Sequence, residues 1–195
     1  MTFTEKAFNL LASNLGLPYY QAERRIDIFI NVFLEDIVHQ HTPFIDAQYI
    51  LAEFPLKKKE DSDHSAHIDY LMFSPGDKIV FFVELKTDEK SFDLSQVEFY
   101  ESKSKFIEWY RDFEKIKMKG FKTKKKFATD VIEKKLGKDI GEYACAVIII
   151  KPLQEKEELK KDGRHFIALK NIEIKTEYQD EWEKLKTIVL SKILE

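Results

Sequence analysis

The chain has 195 residues, 44% of them hydrophobic and 13% aromatic, with a formal net charge of -3. That is enough apolar material for one sizeable core, and one domain spanning 1–195 is the default. A single cysteine excludes an internal disulfide, the near-balance of charge argues against a general nucleic-acid coat protein, and no apolar stretch approaches the roughly 20 residues needed to span a bilayer. The first residues lack a signal-peptide pattern, so a reducing, cytoplasmic location without membrane association is expected.

Thr2 and Glu5 have capping-box spacing for a helix running to about residue 15, where Gly16 and Pro18 would end it. Ile26, Phe29, Ile30, Phe33, Leu34 and Ile37 then form a helical stripe over residues 22–38, the helix expected to cover a sheet. Residues 49–56 read as a strand. After the polar stretch 57–65 come two apolar runs, one around Asp69 and one containing Glu84, joined by Ser74-Pro75-Gly76-Asp77-Lys78. Proline followed by glycine at the centre of that joint favours a tight reversal, so the two runs read as a hairpin. Asp93 or Ser91 can cap a helix predicted from about residue 94 into a lysine-rich region, and residues 127–136 predict a further helix ending at Gly137. Residues 142–150 are nearly all apolar, as in a strand buried on both faces, with Cys145 inside it as a buried, inert thiol. Beyond Pro152 the pattern predicts a charged helical stretch, strands at 165–169 and 172–175, and a closing helix striped by Trp182, Leu185, Val189 and Ile193.

The chemistry concentrates in the hairpin. Side chains alternate along a strand, so Glu84 and Lys86 share a face while Val83 and Leu85 point to the core. The fold-back brings Asp69 beside them. Two carboxylates and an ammonium then converge, a set suited to Mg²⁺ or Mn²⁺, which take oxygen ligands and can activate water against a phosphate. Phosphodiester hydrolysis is the natural reaction for such a group.

These residues resemble the signature of the PD-(D/E)XK nuclease superfamily, with Asp69 as the first acid, Glu84 as the second and Lys86 as the lysine. Ile68 stands where the name-giving proline would be. Gln96 and Tyr100 are similar to the Gln-x-x-x-Tyr element of the RecB and lambda-exonuclease-like branch, and at four residues apart they share a helix face. The resemblance covers residues 20–150 and implies an α/β, restriction-endonuclease-like αβββαβ core with a mixed central sheet flanked by helices, followed by a C-terminal strand pair and helix at 151–195. It further implies catalytic roles for Asp69, Glu84, Lys86, Gln96 and Tyr100, Mg²⁺ or Mn²⁺ as cofactor, nucleic acid as partner with DNA favoured, and compatibility with a homodimer. The family often adds a glutamate from the first core helix to the metal site. Glu23 is favoured over Glu35 because the helix's N-terminal half should reach the active edge, and Glu53, on the preceding strand, is the third candidate.

Glu-x-Lys spacing alone is weak, since it recurs at Glu101/Lys103, Glu133/Lys135, Glu158/Lys160 and Glu173/Lys175. Only the copy at Glu84 combines a hairpin, a paired aspartate and a downstream Gln/Tyr helix. Between Lys115 and Lys126 stand seven lysines and no acid; Lys119, Lys122, Lys124, Lys125 and Lys126 are candidates for gripping a phosphate backbone, against the plainer reading of a solvated helix end. The cluster Lys57-Lys58-Lys59 is open to the same two readings. His64 and His67 with Asp61 and Asp63 could suggest zinc, but no cysteine accompanies them and a polar loop explains them as well. His67 shares a face with Asp69 and is a candidate for contact with the site's surroundings. The competing functional class is a catalytically silent, nuclease-like module that binds nucleic acid or a protein partner.

Overall fold

The computed structural model describes residues 2–14, 23–57, 65–116, 121–153 and 163–193. Five strands form one mixed sheet in the order β1 (Gln48–Lys57), β2 (Ser65–Ser74), β3 (Ile79–Leu85), β4 (Ala144–Lys151) and β5 (Arg164–Ala168). The first three make an antiparallel meander, whereas β3, β4 and β5 run parallel. Helices α1 (Phe3–Asn14) and α2 (Glu23–His41) precede the sheet, while α3 (Leu94–Tyr100), α4 (Phe106–Lys115) and α5 (Phe121–Leu136) fill the β3–β4 crossover. A last helical segment comprises α6 (Gln179–Leu185), one wide π turn at Lys186–Leu190, and α7 (Ser191–Ile193).

Each sheet face buries its own core. On one side Ile26, Ile30, Phe33, Leu34 and Ile37 of α2, with Trp182 and Leu185 of α6, pack on Tyr70, Met72, Phe81, Val83, Ile148 and Ile150. On the other, Val97, Trp109, Phe113 and Ile132 from α3, α4 and α5 pack on Phe54, Leu71, Phe82, Val147 and Ile149. This explains the unbroken apolar run of β4: a strand covered on both faces has no polar side to display. The stripe on α2 faces the sheet as expected. Thr2 and Glu5 form the reciprocal cap, with Thr2 N donating to Glu5 Oε2 at 2.8 Å and Glu5 N to Thr2 Oγ1 at 3.2 Å.

The β2–β3 hairpin is held from outside. Ser74 Oγ and Gly76 N both donate to the Asp46 carboxylate, at 2.5 and 2.7 Å. Gly76 is there for space, since a Cβ would stand 2.8 Å from Asp46 Oδ2. The left-handed residue of the turn is Lys78, at φ 55°.

Three sequence expectations need correction. The helix expected from residue 94 into the lysines is two helices, because the intervening segment is drawn to the start of β4: Cys145 N donates to Ser104 O at 3.0 Å and Phe106 N to Tyr143 O at 3.0 Å. The next helix begins at Phe121, not 127, so the later lysines lie within α5. The expected C-terminal strand pair is a single strand, β5, that joins the central sheet beside β4. Residues 172–175 alternate Ile172 and Ile174 into the core, but among the described residues no strand pairs with them, and the Ile172 carbonyl instead accepts from Trp182 Nε1 and Lys186 Nζ, both at 3.2 Å. The expected helical stretch after Pro152 lies outside the described residues.

Candidate functional site

The register Tyr70↔Val83, continued by one residue, sets Asp69 across from Glu84. The ladder is replaced at this point by a side chain, as Leu85 N donates to Asp69 Oδ2 at 2.7 Å. Asp69 therefore grips the peptide between Glu84 and Lys86. Although β3 ends at Leu85, Lys86 remains pinned beside β4 through its N–H to Ile150 O at 2.7 Å.

Glu84 is the centre of the cluster. Its residue is only 4% exposed, yet its carboxylate receives three donors: Lys86 Nζ at 2.5 Å and Gln96 Nε2 at 2.9 Å on Oε1, and the Tyr100 hydroxyl at 2.9 Å on Oε2. A buried carboxylate satisfied in this way has one fixed orientation. Gln96 also donates to Tyr100 Oη at 2.5 Å, using both hydrogens of its amide. Asp93 sets the helix that carries the pair, its carboxylate accepting from Ser95 N at 2.9 Å as the cap of α3. Burial, then the Glu84 charge and hydrogen bond and the nearby Asp69 charge, drive the Tyr100 pKa far above its ordinary value. Tyr100 is consequently a donor, not a base or nucleophile.

The glutamates proposed to complete the site fall in different places. Glu23 begins α2, and its side chain lies outside the described residues. The helix does run as expected, for Tyr70 Oη donates to Asp27 O at 2.9 Å, bringing its N-terminal part beside the neighbour of Asp69. Glu35 is at the far end, where Oε1 accepts from Tyr49 N at 2.8 Å near the Gln48↔Phe73 pair. Glu53 lies between Ala52 and Phe54, which face Tyr70 and Ile68, so it stands across from Asp69. It is exposed, and its φ of 55° is left-handed, which sequence gave no reason to expect in the middle of a strand.

The lysine-rich segment is only partly visible. Lys119 and the side chains of Lys122 and Lys124 lie outside the described residues, as do Lys58, Lys59, Asp61, Asp63 and His64. Lys126 is exposed, and Lys125 donates to Glu114 O. Lys125 Nζ lies 6.0 Å from the Phe113 ring, which is 5.0 Å from that of Phe54, the partner of Ile68. The start of α5 thus approaches the Asp69 end of the sheet. His67 is exposed, and its carbonyl lies 3.5 Å from Tyr100 Oη.

Glu158 and Lys160 lie outside the described residues; the other repeated Glu-x-Lys spacings resolve into structural pairs or surface. Glu101 accepts from Arg164 Nε and Nη2 at 2.7 and 2.8 Å, while Lys103 bonds Asp112. Glu133 accepts from Tyr110 Oη at 3.1 Å, and Glu173 and Lys175 are exposed. Cys145, expected to be buried, is only partly so and packs against the core, where desolvation pushes its thiol up to about 12.

Among the described residues no three His, Cys, Asp or Glu side chains gather closely enough to hold a metal ion. An ion here would rest on Asp69 and Glu84 and complete its shell with water and substrate oxygens, a pattern that suits Mg²⁺. Two hard carboxylates beside an ammonium fit that group by donor chemistry.

The chain is an α/β protein with a five-stranded mixed sheet flanked by helices, and at the carboxyl end of β3 the buried Glu84 and Tyr100 meet the half-buried Asp69, Lys86 and Gln96. No family model, curated protein or solved structure matches it. Among the described residues, no helix is long and apolar enough to cross a membrane.

Proposed function

We propose that the protein is a Mg²⁺- or Mn²⁺-dependent nuclease with a restriction-endonuclease-like core, hydrolysing phosphodiester bonds with DNA as the favoured substrate. One observation carries this reading: Asp69, Glu84, Lys86, Gln96 and Tyr100 meet in a single cluster, linked by hydrogen bonds among the last four and by Asp69's hold on the Leu85 peptide. The order α2, β1 to β3, crossover helices, β4 supports it, being the αβββαβ succession that the sequence motif implies.

When bound, the divalent ion supplies polarisation of a phosphoryl oxygen and a more acidic water. Asp69 and Glu84 would hold it. Gln96 and Tyr100 keep the Glu84 carboxylate in one orientation, and Tyr100 retains its proton throughout. The Lys86 side chain is only 11% exposed and is held on Glu84 Oε1 at 2.5 Å, which keeps its ammonium beside the carboxylates for contact with a phosphate oxygen or an attacking water. Lys125 and Lys126, at the start of α5, contribute sequence-independent attraction for the backbone.

The test is incubation with Mg²⁺ or Mn²⁺ and mixed DNA and RNA, beside Lys86→Ala. Cleavage by the wild type and its loss in the variant is the expected result; equal cleavage in both, or none in either, removes the reading. The contact of Lys86 Nζ with Glu84 Oε1 favours one rival, a silent module whose lysine occupies the metal's place. Binding of nucleic acid without cleavage at any divalent-ion concentration would select it.

A further inference from the structure

The helix that carries Gln96 and Tyr100 has only seven residues, Leu94–Tyr100. Two turns do not hold their own place in water, so the orientation that Gln96 and Tyr100 give the Glu84 carboxylate depends on what anchors α3 from outside. Two such anchors come from β5, a strand beyond the motif's span of 20–150.

β5 pairs Arg164 with Val147 and Phe166 with Ile149, and the same two β4 residues pair with Phe82 and Glu84. Arg164 and Phe166 therefore stand in the rows of Phe82 and Glu84, two positions apart and on one face of the sheet. That is the face α3 covers, since Val97 and Tyr100 share a core with Phe82, Val147 and Ile149, and Phe166 packs against it. At the start of α3 the ring of Phe166 meets that of Phe92, the residue before the cap Asp93, with centroids 6.3 Å apart. At its end Arg164 Nε and Nη2 donate to the two carboxylate oxygens of Glu101, the C-cap that directly follows Tyr100, at 2.7 and 2.8 Å. Two residues of a strand span about 7 Å and seven of a helix about 10 Å, so one short stretch of β5 reaches both ends of α3. Exposed ion pairs fix little, but the Arg164 and Glu101 side chains are 6% and 15% exposed. Parallel bonds between two planar ions resist rotation as well as separation.

We propose that Arg164 is a positioning residue of the Glu84 site, acting through Glu101 to set the end of α3 and with it the Tyr100 hydroxyl and Gln96 amide that orient the carboxylate. This rests on reading Glu84 as the metal-binding acid, and it extends the site to a strand that the Asp-Glu-Lys pattern does not contain.

The test follows the Gln96 side-chain amide by NMR in the full-length, metal-free protein, because both its hydrogens are used in the cluster, on Glu84 Oε1 and Tyr100 Oη. In Arg164→Met these hydrogens are expected to exchange with water about tenfold faster than in wild type, the scale of one charge-assisted hydrogen bond, while the backbone amides of β3 keep their rates. Arg164→Lys, which keeps the charge but not the fork, should fall between the two. Unchanged Gln96 exchange, or an acceleration matched by the β3 amides, overturns the proposal; if Arg164→Met does not fold, the same comparison is decided by Arg164→Lys. Mn²⁺ affinity, read by electron paramagnetic resonance without nucleic acid, is scored separately and should fall about tenfold in Arg164→Met. Equal Mn²⁺ affinity in variant and wild type also overturns the proposal. A Gln96 effect in a protein that binds no Mn²⁺ sinks the nuclease reading alone, whereas Mn²⁺ binding with an unmoved Gln96 sinks only the role of Arg164.

Discussion

The backbone amide of Leu85 donates to Asp69 Oδ2 at 2.7 Å, so the acid of one strand holds the peptide that separates Glu84 from Lys86. An asparagine oxygen could accept the same bond, which separates the charge of Asp69 from its structural role. Asp69→Asn is expected to leave urea-unfolding stability within about 0.5 kcal/mol of wild type while reducing metal-dependent cleavage about a hundredfold or more. Asp69→Ala should cost an additional ~1 kcal/mol because the Leu85 amide loses its partner. Equal cleavage by Asp69→Asn and wild type would remove Asp69 from the metal site.

Tyr100 and Glu84 test the support beneath the site. Tyr100→Phe keeps the ring among Phe82 and Phe99 but deprives Glu84 Oε2 of its donor. A buried carboxylate oxygen left short of a partner costs about 1–3 kcal/mol, and misorientation of the carboxylate should lower the cleavage rate about tenfold. Denaturant titration and single-turnover kinetics measure the two effects, and a variant as stable as wild type would deny the hydrogen bond its role.

Alkaline pH should weaken the fold. Burial first raises Tyr100 well above 10.0, Tyr110 from 10.0 to about 12 and Cys145 from 9.0 to about 12. In each case the unfolded chain loses its proton at a lower pH than the folded one, so the stabilisation is complete below the unfolded pKa and declines as pH rises. The melting temperature should therefore fall from about pH 9 upward, and fall less steeply in Tyr100→Phe. A flat profile to pH 11 would contradict this.

Glu53 is exposed and held at φ 55°, a conformation that costs a side-chain-bearing residue roughly 1–2 kcal/mol and glycine little. Glu53→Gly should accordingly stabilise the protein by about 0.5–1 kcal/mol after the added flexibility of the unfolded chain is counted. Lys78 has the same φ but also bonds Asp139 and lies over Tyr143, so its replacement would mix two effects. A loss of stability in Glu53→Gly would mean that its side chain makes a favourable contact.

Lys126 is the cleaner probe of the basic segment, since Lys125 also donates to Glu114 O. If the start of α5 meets the phosphate backbone, Lys126→Ala should weaken nucleic-acid binding uniformly across sequences and reduce the slope of log affinity against log salt by about 1. An unchanged slope would leave the lysines as a solvated helix end.

The local pattern carried much of the fold and most of the proposed site. Alternation and the Pro-Gly turn were sufficient for the hairpin, the apolar run of β4 for a strand covered on both faces, and residue spacing for the shared face of Gln96 and Tyr100, because each depends on neighbours a few residues apart. What lay beyond the sequence depended on contacts between distant segments. The pull of β4 on residues 101–105 split one predicted helix, and Trp182 and Lys186 took the carbonyl that a strand at 172–175 would have used.

The sequence by itself determined the kinds of groups available and which of them share a strand or helix face, since side-chain chemistry and backbone periodicity are local properties. Tertiary structure alone decided that Asp69 binds the Leu85 amide, that Glu53 adopts a left-handed turn across from it, and that Arg164 holds Glu101 at the end of α3. Those relationships arise from strand register and burial, which are settled only when segments far apart in the chain compete for the same partners.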